Sequence, residues 1–511
     1  MTVYSVLVSL DGTRVGAGET DTRTPRYADR DAVDGHADFV GPVPVVRTTE
    51  WMVAAGVAII AVWVRDPAIA LLFGGGVGIA VVLARRSFLF LVLLAALVVA
   101  GSIRSDQSWS SLTPDEIGPY RGWARVVDDP QSYPGATRVI LEVDRERFEF
   151  WSRGRAQQQR VREWRGGEWV AVSGERSRLD PERAGRVAWQ HVVGEFDVDW
   201  ASDVDAGGPV ARASNRVRSS IERASERLPA DDGALFRGLV IGDDRDQPRE
   251  MIDRFRASGL SHLTAVSGQN VAFVLAAAGP GLRRLRPWAR WAVTVGLIAW
   301  FVALTRYEPS IVRAGAMAAL SATAFVLGRD RSPVRILAVA VTALVLIDPL
   351  LVWSVGFWLS VGATLGVSGI GPWIAARLGR IAALRLFALP IGVTLGAQIG
   401  VVIPSVLVFG RLPLVSIPAN LLAVPVAGMV MLYGMPAGLV AGWIPPLGEP
   451  LMFPARLGTR WVDTVAALGA RFEPDPPVQW IGWVAVALAV VVLLVISRNT
   501  ADSHGDLSPD R

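Results

Sequence analysis

Four polar side chains interrupt what should be an unbroken apolar run. The stretch Gly259–Val274, GLSHLTAVSGQNVAFV, opens a hydrophobic segment yet carries His262, Ser267, Gln269 and Asn270. Such groups need partners in hydrocarbon, and by default they face a bundle interior or a water-filled path. A continuous helix places His262, Gln269 and Asn270 at i, i+7 and i+8, on one face. The Ser267–Gly268 pair offers a second geometry, an interruption like those in the broken helices that line transporter sites. Both readings predict a polar pathway. His262 suits proton transfer or contact with a nucleic acid, although a hydrogen-bonded structural histidine is the plainer role.

Other positions carry similar alternatives. Asp243 and Asp244 follow Gly242. Paired carboxylates can hold a divalent cation or polarise a water, and Gly-Asp-Asp is equally good turn or cap chemistry. Arg313 lies one turn inside the apolar run that follows Pro309. From there it either snorkels to headgroups or sets a guanidinium where a phosphate passes. Gln398 and Asn420 sit within apolar stretches among Pro404, Pro413, Pro418 and Pro425. Dense proline implies broken helices against a cavity or buried in protein; amide hydrogen bonds between helices are the competing role. There is no cysteine, which excludes thiol catalysis, Cys-ligated metal and disulfides. No G-x-x-x-x-G-K-[ST] element is present to bind ATP. No metal or cofactor is expected.

Of the 511 residues 51% are apolar, in long uncharged runs such as Val478–Ile496. Runs near 20 residues span a bilayer core as helices, and by that criterion there are roughly twelve, three of them in Trp51–Ile103. The fold class expected is therefore a polytopic α-helical transmembrane protein with an inserted small β-domain. Residues 1–47 read as a disordered cytoplasmic tail without a signal peptide, 48–103 as the first three spans, and 499–511 as a second cytoplasmic tail. The basic positions Arg85 and Arg86, and the loops Arg283–Arg290, Arg329–Arg335 and Arg377–Arg385, fall on one side when spans alternate. The positive-inside rule then puts both termini in the cytoplasm and residues 104–205 outside. Those residues alternate in strand fashion, as in Arg138–Val143 and Trp169–Ser173, with Gly, Pro and Asp at the breaks. Trp123, Phe148, Phe150, Trp151, Trp164 and Trp169 mix there with Arg125, Arg138, Arg145, Arg153, Arg160 and Arg162. Aromatic and basic residues on strands bind single-stranded nucleic acid by stacking; a core filled by the aromatics is the alternative. The net charge of +4 does not by itself argue for nucleic acid. Residues 206–260 join this domain to the spans of 261–498. Their helix over Ala211–Leu228 aligns Val217, Ile221 and Leu228 to lie on the membrane or on protein.

GLSHLTAVSGQNV resembles the GL-x-HLLAVSG-x-HV signature of the ComEC competence family of inner-membrane channels for imported single-stranded DNA. LFRGLVIGDDRD (Leu235–Asp246) is similar to that family's L-x-x-GLLLGDR element. PSIVRAGAMAAL (Pro309–Leu320), DPLLVWSVGFWLSVGATLGV (Asp348–Val367) and FGRLPLVSIPANLLAVPVAG (Phe409–Gly428) resemble three further elements, in order. GWARVVDDP (Gly122–Pro130) and Trp164–Asp180 are similar to strands of the family's OB-like domain. Asn270 stands where many relatives have His, and Asp348 where Asn is commoner. Many family members end in a metallo-β-lactamase-like domain with an H-x-H-x-D-H motif. Here the four histidines, His36, His191, His262 and His504, are scattered, so a short form without that domain is expected.

The resemblance implies a cell-membrane channel that passes single-stranded DNA during natural transformation, not an enzyme. Asp243, Asp244, His262, Ser267, Gly268, Gln269, Asn270, Arg313, Gln398 and Asn420 are the pathway candidates. Trp123, Arg125, Arg138 and Arg145 are the candidates for contact with DNA in an OB-like β-barrel. Partners implied are membrane lipids, a separate DNA receptor, a nuclease, a cytoplasmic helicase or strand-binding protein, and a second copy of the chain. Two alternatives remain: a membrane-embedded hydrolase or phosphotransferase using Asp243, Asp244 and His262 on a lipid or polymer, and a transporter of another anionic polymer.

Overall fold

The computed structural model describes residues 48–64, 88–264, 268–329 and 332–505. Ser267, Arg85, Arg86, the tail over 1–47, the middle of the three N-terminal spans and the end of the 499–511 tail lie outside the described residues.

The polar middle of the chain folds into six strands: β1 Gly118–Val126, β2 Gln131–Tyr133, β3 Ala136–Val143, β4 Glu146–Arg153, β5 Trp169–Arg178 and β6 Val192–Asp205. They pair in the order β1-β5-β6-β4-β3-β2, and β1 also meets β3 at Arg125↔Glu142 and Val126↔Leu141. All pairings are antiparallel except β4 with β6. Asp144 and Arg145 turn the β3–β4 hairpin at φ 51° and 72°, a positive-φ pair that matches the twist of the strands it joins. Alternation sends Val126, Leu141, Phe148, Phe150, Val170, Val172 and Phe196 into one core with Trp164. Of the six aromatics noted in the sequence, Phe148, Phe150 and Trp164 are thus buried, while Trp123 and Trp169 stay exposed.

Helices α1 Thr48–Val64 and α2 Phe88–Ser110 precede the sheet. After it come α3 Pro209–Ser225, α4 Ala230–Ile241, α5 Arg249–Ala257, the single turn Ser261–Thr264 and α6 Gly268–Leu282. Then follow α7 Pro287–Leu304, α8 Pro309–Val326, α9 Pro333–Ile347, α10 Val355–Leu365, α11 Gly371–Leu378, α12 Ala388–Phe409, α13 Ser416–Trp443, α14 Gly448–Phe472 and α15 Pro476–Gly505. Proline opens α3, α7, α8 and α9, where its fixed φ suits the first helical position and its missing N–H costs no bond. The largest core joins α3, α4, α5, α13 and α14 through Ile221, Phe236, Phe255, Ala427 and Val462.

Among the described residues, five helical stretches are long and apolar enough to cross a membrane: Pro287–Leu304, Pro309–Val326, Val355–Leu378, Ala388–Phe409 and Ser416–Trp443. Thr48–Val64, Pro333–Ile347 and Pro477–Val490 are apolar but shorter. The roughly twelve runs read as spans are thus not twelve full-length spans among the described residues. A helix such as α9, with 15 residues, rises only about 22 Å. The Val355–Leu378 stretch passes from α10 to α11 through a π-turn, Gly366–Ile370. It packs on α12 backbone to backbone: a Cβ on Gly362 or Gly366 would overlap the carbonyl of Gly400 or Gly396. Small residues at four-residue spacing permit that approach between membrane helices.

Candidate functional site

Asp129, in the loop after β1, is where the sheet domain is fastened to the helices. Its Oδ2 lies 2.7 Å from Arg218 Nη2. Its Oδ1 accepts from Arg306 Nη2 and from the Gly166 N–H, each at 2.9 Å. Arg218, buried on α3, also donates to the carbonyls of Ile241 and Leu304 at 3.3 Å. Its Nη2 is 3.6 Å from Asp243 Oδ2. Arg245 holds Asp243 in a two-pronged grip, Nε at 2.8 Å and Nη2 at 2.7 Å, and donates to Glu222 at 2.9 Å. Glu222 in turn accepts from Arg165 of the sheet domain at 2.6 Å. Arg306 completes the lattice by donating to Asn215 Oδ1 at 2.6 Å.

Local structure aims these groups. Gly242 ends α4 in the left-handed region at φ 68°, the usual glycine C-cap, and turns Asp243 back toward α3. Burial works to raise the Asp243 carboxyl, but its hydrogen bonds and attraction to Arg245, with Arg218 beyond, hold it below the usual range. Burial likewise opposes ionisation of Asp129, and Arg218 and Arg306 outweigh it, holding that carboxyl far below the usual range.

Beside the lattice Asp128, Asp244 and Glu308 form an acidic cluster. Asp244 and Glu308 keep exposed surface although protein crowds their carboxyl groups. Burial, then the charges of Asp128 and Asp244, push the Glu308 carboxyl up to about 7. Burial is also the main cause that lifts Asp128 to about 6. Asp244 is raised by burial and by Asp243. Among the described residues no group of three His, Asp or Glu side chains has the spacing to hold a metal ion.

The polar residues of the helices prove unequal. Asn270 is buried, and its Nδ2–H donates to the Leu239 carbonyl at 3.1 Å, tying α6 to α4. Gln398 Nε2 donates to Ser416 Oγ at 2.8 Å, joining α12 to α13. Asn420 Nδ2 donates one turn back to the Ser416 carbonyl at 2.7 Å. All three amides thus make hydrogen bonds within or between helices, the competing role weighed for Gln398 and Asn420. His262 is exposed on the turn Ser261–Thr264, and Gln269 is half-buried in the first turn of α6. Arg313 differs from all of these: it is 3% exposed, and its Nε and Nη1 have no hydrogen-bond partner.

The Competence protein family matches residues 239–499, half of the chain, including the helices that carry Asn270, Arg313, Gln398 and Asn420. The chain belongs to that family. It is 27% identical over 276 residues to the uncharacterized protein YcaI of Escherichia coli, covering 50% of this chain and 34% of that one. Competence protein ComA of Neisseria gonorrhoeae is 28% identical over 343 residues, 60% of this chain and 46% of that protein. ComE operon protein 3 of Bacillus subtilis is 27% identical over 219 residues, 42% of this chain and 27% of that protein. The chain spans less than half the length of each of these relatives. No solved structure matches it. Five candidate spans within a competence protein fit a multi-pass membrane protein.

Against this competence-family frame, the sequence candidates separate. Asp243 is held by ion pairs in the lattice, and Asp244 is an exposed member of the acidic cluster beside it. Arg138 is 7% exposed and paired with Glu149 at 2.9 Å, which takes it off the surface. Arg125 pairs with Glu142 at 2.7 Å, Arg145 occupies the exposed hairpin turn, and Trp123 is exposed. Trp123 shares its sheet face with Trp169 and Trp200. Cross-strand partners are Trp123↔Ala171, Arg125↔Trp169, Arg121↔Ser173 and Ser173↔Trp200. Sequence reasoning missed Trp200, because a register shift in β6 between the partners of Ser173 and Gly174 inserts a residue and turns Trp200 outward. It also missed Arg218, although Arg218 shares a helical face with the buried Ser214, Ile221 and Ser225.

Proposed function

We propose that this chain forms a cell-membrane passage for single-stranded DNA during natural transformation, with the sheet domain as its guide. The observation that carries this reading is the open sheet face of Trp123, Trp169 and Trp200 beside Arg121 and Arg125, fastened through the Asp129–Arg306 pair to the family-matching half of the chain. Flat aromatics separated by the small residues Ala171 and Ser173 suit successive stacked bases, and the two guanidiniums suit the backbone. Asp205 opposite Trp169, and Glu142 on Arg125, limit the positive charge, which favours loose, releasable binding over tight capture. We read the sheet as an OB-like barrel, since β1 bridges to both β5 and β3 and only β4 and β6 run parallel. On this reading the sheet domain lies outside and the termini inside, following the basic loops. Direction comes from a separate cytoplasmic helicase or strand-binding protein, and a separate receptor and nuclease deliver the strand. The chain itself catalyses nothing.

Deleting the gene and scoring labelled DNA that reaches the cytoplasm tests the role; unimpaired uptake defeats it. Purified full-length protein should bind oligothymidylate, more weakly as salt rises. The Trp123→Ala, Trp200→Ala double variant should lose roughly thirtyfold or more in affinity, at about 1–3 kcal/mol per stacked base.

A further inference from the structure

Four arginines among the described residues are buried: Arg138, Arg176, Arg218 and Arg313. Arg138 has Glu149 at 2.9 Å, Arg176 has Glu116 at 3.1 Å, and Arg218 has Asp129 at 2.7 Å. Arg313 alone of the four has no carboxylate, and two of its three nitrogens have no acceptor. Guanidinium keeps its charge in proteins, and a buried charge persists in a fold only where something compensates it. The question is what does so here.

The surroundings of Arg313 answer it in part. Its Nη2 lies 3.9 Å from where a Cβ on Gly268 would stand, and that same Cβ would come within 2.8 Å of the Ala314 side chain. The first residue of α6 therefore lies close against α8 at Arg313, and a side chain larger than hydrogen would crowd the approach. Helix α6 has 15 residues; its first-turn N–H groups have no acceptor within the helix, and its dipole is positive at that end. A buried guanidinium with two unpartnered nitrogens and a helix N-terminus thus meet at one spot, and both favour negative charge. The ion lattice does not serve it, since its carboxylates are taken by Arg218, Arg245 and Arg306.

We propose that Arg313 and the first turn of α6 form a binding site for a phosphate-class oxyanion within the helical domain. The planar fork matches two oxygens of a tetrahedral phosphate, and the helix N–H groups supply donors to a third. On the transport reading above, the occupant is a backbone phosphodiester of the passing strand, held singly so that it can be released. The site itself does not require that reading, because a lipid headgroup phosphate has the same chemistry.

The test uses full-length protein in dodecyl maltoside stripped of phospholipid. Inorganic phosphate, compared with chloride at equal ionic strength, should raise the unfolding temperature of the wild type. Arg313→Gln should abolish that shift, weakening phosphate by about tenfold to a hundredfold, as expected for lost charged hydrogen bonds. Without phosphate, Arg313→Gln should melt no lower than the wild type, since it removes an uncompensated charge. A lower melt in both buffers would mark Arg313 as structural and overturn the site. Arg313→Lys keeps the charge without the fork and should retain only a weak response. No phosphate effect on the wild type, or an equal effect on wild type and Arg313→Gln, overturns the proposal. Oligothymidylate that competes with phosphate assigns the site to the strand; phosphatidylglycerol that does so while oligothymidylate does not assigns it to lipid and overturns the strand reading. Uptake lost on gene deletion together with no phosphate effect defeats the site and leaves the transport role standing. Phosphate binding with unimpaired uptake does the reverse.

Discussion

Replacing Asp129 with Asn tests whether the ion lattice holds the sheet domain to the helices. The change keeps the shape and removes one charge from between two arginines. The side chains of Arg218 and Asp129 are 4% and 10% exposed, so solvent cannot take over the lost compensation. Breaking a buried pair on one side costs about 3–5 kcal/mol, mainly because the other charge is left behind. Several contacts soften the loss here. Arg218 keeps two backbone carbonyls and Asp243 at 3.6 Å, and Arg306 keeps Asn215. The lower end, about 3 kcal/mol, is therefore expected, a factor of roughly a hundred in the folding equilibrium. The assay is denaturant unfolding of the purified protein in one detergent, run as a cycle with Arg218→Met and the double variant. The double variant should be less damaged than the sum of the singles by about 1–3 kcal/mol, because neither partner is left charged alone. If Asp129→Asn lies within about 0.5 kcal/mol of wild type, the pair is not the buried fastening inferred from its geometry.

Three more expectations follow from other contacts. Glu308, with its carboxyl lifted to about 7 from an ordinary value of 4.5, binds its proton more tightly folded than unfolded. Its contribution therefore favours the fold below 4.5 and is lost as pH rises to about 7. Melting temperatures should fall across that window in the wild type and fall less in Glu308→Gln; equal slopes would refute the raised carboxyl. Gly366→Ala should destabilise by about 1–3 kcal/mol in thermal melts, since its Cβ would overlap the Gly396 carbonyl and force the helices apart. Asn270→Leu should cost about 1–3 kcal/mol by leaving the Leu239 carbonyl without its donor. A variant with unchanged stability but impaired uptake would instead mean that Asn270 faces the passage.

Large features were legible in the sequence because they rest on periodicity. The apolar runs announced membrane helices, and alternation over Arg138–Val143 and Trp169–Ser173 announced β3 and β5. The five ordered elements around GLSHLTAVSGQNV led to the family that the match over 239–499 establishes. Partner choice was not legible, because it depends on contacts between distant segments. Asp243 looked like half of a carboxylate pair until Arg245 and Arg218 closed on it. Arg138 and Arg125 read as equally basic positions, and only Glu149, eleven residues further along and directly bonded, withdraws Arg138 from the surface. Asp129 and Arg306, 177 residues apart, carried no local sign of their contact.

The contrast between compensated and uncompensated charge bears on the hydrolase alternative. A two-carboxylate mechanism at Asp243 and Asp244 needs both groups free to hold a metal or take a proton from water. Both Asp243 oxygens already accept from Arg245, and Arg218 stands 3.6 Å away. An acid gripped this way is held ionised and is a poor base. Asp244 is pushed the opposite way by burial and by Asp243 itself, and among the described residues no third ligand completes a metal set. His262, the remaining member of that proposed triad, sits on the separate turn Ser261–Thr264. Chemistry at this junction would first have to dismantle the ion pairs that hold the sheet domain in place. Passage of a polyanion needs no such dismantling, because the positive groups with capacity to spare, Arg121 on the sheet face and Arg313 beside Gly268, lie outside the lattice.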